Sequence, residues 1–368
     1  MCLAHFNLPL RPAFTPPPKH YNYAPCFVQV PGQLHVWYCA NLKSGNVTDA
    51  ICHRRALWSR HGWAWGPETV ALQPAQGRLA WDCRHVCDPE VVGGYFRFRG
   101  KRWRYLLLYL GTNAEASTHN QVGAALADSL EGPWHRYPRP IIPYTSAASG
   151  GIVGEAGGWL VYRFWGVGQP SAISLDGRGR LLIFYSRGEE ASGEEMLEAD
   201  LSDLDRGPLV GSPVQVPGNG IRSGREAISA PVNNVGIARG KDRYLYMVCD
   251  GPLHTDGRKP DFISAEVGLF RIKWRDLRRR AGRWERVAVL DAASTGWPRN
   301  HNACILKDLL GRVPMEHRIS LGVSVAEAYE VLPSDAGWLW SYRVVLLDPP
   351  AADGRSSVGK ASPPCPRR

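Results

Sequence analysis

The sequence predicts an all-β chain folded as a five-bladed β-propeller, with four-stranded blades around a central channel. Three observations predict it. The first is a recurring opening, seen in Tyr23-Ala24-Pro25, Cys87-Asp88-Pro89, Gly168-Gln169-Pro170 and Ser229-Ala230-Pro231, each running into apolar residues, a turn and an aromatic-rich strand. The prolines at 25, 89, 170 and 231 are 64, 81 and 61 residues apart, and Asn300-His301-Asn302-Ala303-Cys304-Ile305 offers a fifth, proline-free opening further on. Units that cannot bury their own faces point to a radial or stacked architecture. The second is composition: 14 Trp, 14 Tyr, 39 Gly and 29 Pro, with no long helical apolar periodicity. The third is length, since 368 residues suit one propeller closed about a single axis.

Each predicted blade follows from its local pattern. The second is clearest: Asp88-Pro89-Glu90-Val91-Val92, a glycine turn, the run 103–110, a polar loop, the strand 121–127, then a turn through Asp128-Ser129-Leu130-Glu131-Gly132-Pro133-Trp134 into an outer strand at 135–142. The first blade reads as 25–30, 34–39, 50–56 and 65–72, and the third as 170–175, 180–185, 196–201 and 213–217. The fourth reads as 231–238, 243–249, 265–273 and 284–290, and the fifth as 303–306, 318–325 and 338–346. The fifth lacks an outer strand, which residues 6–14 are expected to supply, closing the ring; a helical turn is expected at 307–310. The domain reading is an N-terminal segment 1–20, a propeller 21–346 and a flexible tail 347–368 rich in Pro, Ser and Gly.

Composition excludes several classes. At 44% hydrophobic and 21% charged residues the chain is neither disordered nor membrane-spanning, because no apolar run approaches the roughly 18 residues of a spanning helix. Residues 1–7 lack the pattern of a signal peptide, so the expected compartment is the cytoplasm unless the chain is already processed. Nine irregularly spaced cysteines predict reduced, buried thiols, and Cys83 and Cys87 beside His85 lack a second ligand pair for zinc. The net charge of +10 is concentrated in runs such as Arg278-Arg279-Arg280, without a nucleic-acid module's signature, so neither nucleic acid nor membrane is an expected partner. Oligomeric state is not readable from the chain.

The openings also carry the chemistry. The innermost strands of a propeller line the channel, so polar residues at their starts converge on one volume: Asn22 and Tyr23 beside Ala24, then Asp88, Gln169, Ser229 or Asn233, and the Asn300-His301-Asn302 run. Mixed donors and acceptors near tryptophans, among them Trp165, Trp81 and Trp297, suit a polyhydroxylated ligand whose C–H faces stack on aromatic rings.

The Asp88-Pro89 opening, Leu106-Leu107-Leu108-Tyr109, and the run from Val122 to Gly132-Pro133-Trp134 resemble the five-bladed glycoside hydrolases of family 43 and its relatives, over roughly residues 20–346. The resemblance implies glycosidic bond hydrolysis by three carboxylates: a base, an acid and an aspartate that orients substrate and tunes the acid. Asp88 matches the family's second-blade aspartate, whereas Ala24 stands at the first-blade position and the glutamate position falls near Gln169. Other carboxylates are therefore candidates. Glu90 lies two residues beyond Asp88 on the same strand face, Asp49 heads the first blade's third strand, and Asp250 ends the fourth blade's second strand. Glu155 and Glu226 precede the third and fourth inner strands. His301 is a candidate to replace a carboxylate as acid or to bind substrate.

The catalytic candidates are thus Asp88, Glu90, Asp49 and Asp250, and the substrate-binding candidates Asn22, Tyr23, Gln169, Asn233, His301, Asn302 and Trp165. The expected partner is a glycoside or oligosaccharide. No cofactor is required; the resemblance implies a place for a structural calcium in the channel, although no acidic cluster demands one. Glycosidase, carbohydrate-binding propeller without turnover, and protein-interaction scaffold are the competing functions, since one fold hosts many.

Overall fold

A computed structural model describes residues 4–6, 20–60, 62–114, 119–144, 152–156, 159–162, 165–188, 193–221, 234–251, 263–314, 319–327 and 337–348. Five antiparallel sheets form the blades. Their inner strands are Asn22–Val30, His85–Phe98, Gly166–Ser174, Gly236–Arg239 and Arg299–Ile305. The first blade adds Gln33–Asn41 and Asp49–Ser59, and two short strands, Gly62–Trp65 and Thr69–Leu72, share its outer edge. The second adds Lys101–Thr112, Gln121–Ala127 and the two-residue His135–Arg136. The third adds Arg180–Gly188 and Gly193–Asp200, edged by Leu209–Val210 and Val214–Gln215, and the fourth adds Tyr244–Asp250, Val267–Lys273 and Glu285–Leu290. A two-stranded hairpin, Ile152–Ala156 with Trp159–Tyr162, lies between the second and third blades in the chain. Among the described residues no helix is long and apolar enough to cross a membrane.

The fifth blade closes the ring. Leu321–Ala326 and Arg343–Asp348 follow its inner strand, and Ala4–Phe6 pairs with Arg343–Asp348 as the outer strand, Ala4 opposite Asp348 and Phe6 opposite Leu346. The closing strand is therefore shorter and earlier than the 6–14 expected.

Each blade is apolar on both faces because each is packed between two others. Along one strand Leu106 and Leu108 join Ile183 and Tyr185 of the third blade, while Leu107 and Tyr109 join Trp37 and Ile51 of the first. The period-2 alternation of side chains divides one apolar run between two interfaces, which is why it reads as continuous. The same division places Phe184 with Met247, Val248 with Val323, and Tyr38 with Val344 at the remaining three interfaces. Trp81, a stacking candidate by sequence, lies against Tyr109 at 5.7 Å between ring centres and belongs to this packing.

One segment closes the channel at the end away from the openings. The carbonyls of Lys307, Leu309, Leu310 and Gly311 accept from the backbone N–H of Gln29 (2.8 Å), Gly93 (2.7 Å), Ser174 (3.1 Å) and Arg239 (2.8 Å), one in each of the other four inner strands. The segment is not the helical turn expected at 307–310. Asp308 holds it instead as a turn, its Oδ1 accepting from Leu310 N and Arg312 N at 2.8 Å each. Gly311 has φ +77°, and a Cβ there would lie 2.8 Å from Ile173 Cα, so glycine is what allows the close approach.

Candidate active site

The five openings share one backbone feature. Ala24, Asp88, Gln169, Asn234 and Asn302 all have left-handed φ, between 45° and 52°. In four blades the inner ladder slips at this point, between Tyr23 and Cys26, Cys87 and Glu90, Gly168 and Ser171, and His301 and Cys304. A bulge with a left-handed residue turns that side chain out of the ladder, here toward the axis. All five residues line one pocket at the channel mouth. They stand at 24, 88, 169, 234 and 302, so the fourth opening is Asn234-Val235-Gly236 rather than Ser229-Ala230-Pro231, and the fifth begins at the last residue of Asn300-His301-Asn302. Asn233, Ser229 and Glu226 lie outside the described residues. Glu155 is in the short hairpin Ile152–Ala156.

Asp88 is 8% exposed. Burial and the neighbouring Asp49 raise its pKa to about 7, against the opposing pull of His301 and of the Gln169 N–H. Asp49 is gripped from behind: Tyr21 Oη donates to Oδ1, Tyr23 Oη donates to Oδ2 at 3.0 Å, and its backbone N–H donates to His85 Nδ1 at 3.2 Å. Burial and Asp49 drive both tyrosine pKa values well up, so both remain hydroxyl donors.

Across the mouth, Asp250 Oδ2 meets His301 Nδ1 and the Asn234 side-chain amide, and Asp250 Oδ1 accepts from Asn302 N at 3.0 Å. Asp250 thereby fixes the imidazole by one nitrogen. Tyr342 stands between the two halves, 5.5 Å from Tyr23 and 6.5 Å from His301 between ring centres.

Two features were not legible in the sequence. Glu194, 2% exposed, accepts from Ser186 Oγ at 2.9 Å; its Oε1 has no hydrogen-bond partner among the described residues, and burial pushes its pKa well above the usual range. Ser186 Oγ in turn accepts from Asn234 N at 3.4 Å, linking Glu194 to the rim. The signal is the pairing of Ser186 with Glu194 across a hairpin, which spacing alone does not reveal.

The second is a disulfide between Cys39 and Cys87, 48 residues apart, with Cα atoms 5.1 Å apart. It corrects the expectation of reduced thiols: the strand following the first opening and the second opening face each other, which residue counting does not show. The bond lies beside the pocket, with Asp88 N donating to Cys39 Sγ at 3.0 Å.

Several predicted residues have other placements. Glu90 lines the same pocket one layer below Asp88, 3% exposed and paired with Lys307. Asn22 is not turned to the pocket: its Oδ1 accepts from Val344 N at 2.8 Å, tying the first blade to the fifth. Trp165 packs with Leu110 around Gly168 and Gly188. Tyr23, Asp49, Asp88, Gln169, Asp250, His301 and Asn302 are brought together, Tyr23 and Asp49 behind Asp88 and the others at the rim.

No family model matches the sequence, and comparison with curated proteins finds no match. Among solved structures, a family 117 glycoside hydrolase from the marine bacterium Zobellia galactanivorans aligns with a TM-score of 0.58 and 15% identity, over 94% of this chain and 90% of that one. The α-L-arabinofuranosidase of Podospora anserina, in complex with cellotriose, gives 0.55 at 10% identity over 93% and 94%. A thermostable family-43 glycoside hydrolase gives 0.50 at 13% identity over 97% and 100%. At such identities the likeness is one of fold, and this chain has the five-bladed propeller of those glycoside hydrolases.

Proposed function

We propose that the protein is a glycoside hydrolase, acting on a small glycoside or oligosaccharide in the pocket at the channel mouth. The observation that carries this is a buried Asp88 at the channel mouth, within electrostatic reach of a His301 imidazole that Asp250 fixes. Glycosidic cleavage needs one group to protonate the leaving oxygen and another to activate water. A buried carboxyl with pKa about 7 suits the base, since it is poised near neutral pH. His301 suits the acid, because the Asp250 carboxylate holds its Nδ1 and so fixes the ring's orientation. Gln169, Asn234 and Asn302 supply amide donors and acceptors for sugar hydroxyls.

A second reading has its own observation. Ala24 brings no functional group to the first opening, which favours a carbohydrate-binding propeller without turnover. A panel of aryl glycosides (xyloside, arabinofuranoside, galactoside, fucoside and glucoside) separates the two. Turnover by the wild type is expected, with Asp88→Asn and His301→Gln each lowering kcat by about 10²–10⁴-fold, the usual worth of a proton-transfer group. Asp250→Asn should lower kcat less and displace the pH profile, as expected of a group acting through His301. In the wild type the rate should rise with pH through about 7 as Asp88 ionises. Sugars that raise Tm without any turnover would establish the binding-only reading.

A further inference from the structure

Below the pocket the channel axis is occupied by a side chain. Lys307 is 2% exposed, and its ammonium donates to Glu90 Oε1, to Ile237 O at 3.1 Å and to Ala172 O at 3.2 Å, with Ser171 Oγ at 3.4 Å. Those partners come from the second, third and fourth blades. The backbone of Lys307 completes the circuit: its N–H donates to Phe27 O and its carbonyl accepts from Gln29 N, both in the first blade. One residue of the fifth blade thus joins all the others.

The cage is built from a carboxylate, two backbone carbonyls and a hydroxyl, the oxygen set that a hard cation takes. It already holds a positive charge. The nearby thiols add no compensating negative charge, because burial pushes Cys26 well above the usual range and Cys304 up to about 12. A divalent ion here would leave one carboxylate facing an ammonium and a metal in a buried site. The residues present therefore do not fit a calcium ion at this point of the channel.

We propose that the axial cation of this propeller is the Lys307 ammonium, which takes the place of a metal ion and makes the fold independent of divalent cations. The test compares Tm of the full chain in EDTA and in millimolar CaCl2, together with elemental analysis of the purified protein. The wild type should show the same Tm in both and no stoichiometric calcium. Lys307→Met should lower Tm by about 5 °C or more, since it leaves Glu90 buried and unpaired. Lys307→Ala, which empties the cage, should regain part of its loss in CaCl2. A wild-type Tm that falls in EDTA and recovers with calcium, or calcium found at one per chain, overturns the proposal; both measurements are on the wild type and stand even if neither variant folds.

Discussion

Asp88 is asked to be both buried and ionised, and the two requirements conflict. Its folded-state pKa of about 7 lies above that of an unfolded aspartate, so the protein binds its proton more tightly when folded. The stability this contributes is fully present below about pH 4 and lost as pH rises through about 7. Above that, the folded chain carries an ionised carboxyl against burial and Asp49, at a cost of up to roughly 4 kcal/mol. Asp88→Asn should therefore raise Tm at pH 8 while abolishing most turnover, and thermal melts at pH 5 and pH 8 would show the gain growing with pH. A Tm at pH 8 that is unchanged or lower would mean that this carboxyl is not held against ionisation. Such opposition between stability and activity is expected where a site is strained for function.

At the scale of the element, the first blade has a second pH dependence of opposite sign. His35 Nδ1 and His53 Nε2 lie 3.0 Å apart between strands Gln33–Asn41 and Asp49–Ser59, stacked on one another and against Trp37. Burial, with Arg55 as a second cause, lowers His35 to about 4; burial, with His35 and Arg55, lowers His53 to about 3. Folded pKa values below that of an unfolded histidine mean stability present above about pH 6.5 and lost as pH falls toward 4 and 3. Replacing His53 by Gln should flatten the loss of Tm between pH 6.5 and 4. The same titration in Asp88→Asn should instead become steeper, because the opposing contribution of Asp88 has been removed. Identical slopes in wild type and His53→Gln would exclude the pair as the acid-sensitive element.

For the whole molecule, three connections close the circle: the N-terminal strand paired with the fifth blade, the segment 307–312 beneath the channel, and the Cys39–Cys87 bond between the first two blades. The disulfide closes a 48-residue loop, for which the chain-entropy argument gives about 2–4 kcal/mol. Cys39→Ser with Cys87→Ser should lower Tm and remove its sensitivity to dithiothreitol, whereas the wild type should lose Tm in reductant. A wild-type Tm indifferent to reductant, with two free thiols at these positions by labelling after denaturation, would contradict the bond.

Local residue patterns account for the periodic architecture. Two-faced strands such as Leu106-Leu107-Leu108-Tyr109 and repeated openings such as Asp88-Pro89 are local patterns, imposed by burial between neighbouring blades and by the left-handed residue at the opening of each inner strand. Asp88, Gln169 and Asn302 were visible because they sit in those openings, and Asp250 and His301 because they end or start strands at the same rim. Where proline was absent the register slipped: the fourth opening is Asn234, since asparagine adopts left-handed φ readily without a following proline to mark it. The tertiary structure decided everything that depends on two distant residues meeting. It brought Cys39 to Cys87, Asp250 to His301, and Lys307 to Glu90 across 217 positions of sequence. Those meetings depend on how five blades turn about one axis, and no local propensity encodes the distance between side chains on different blades.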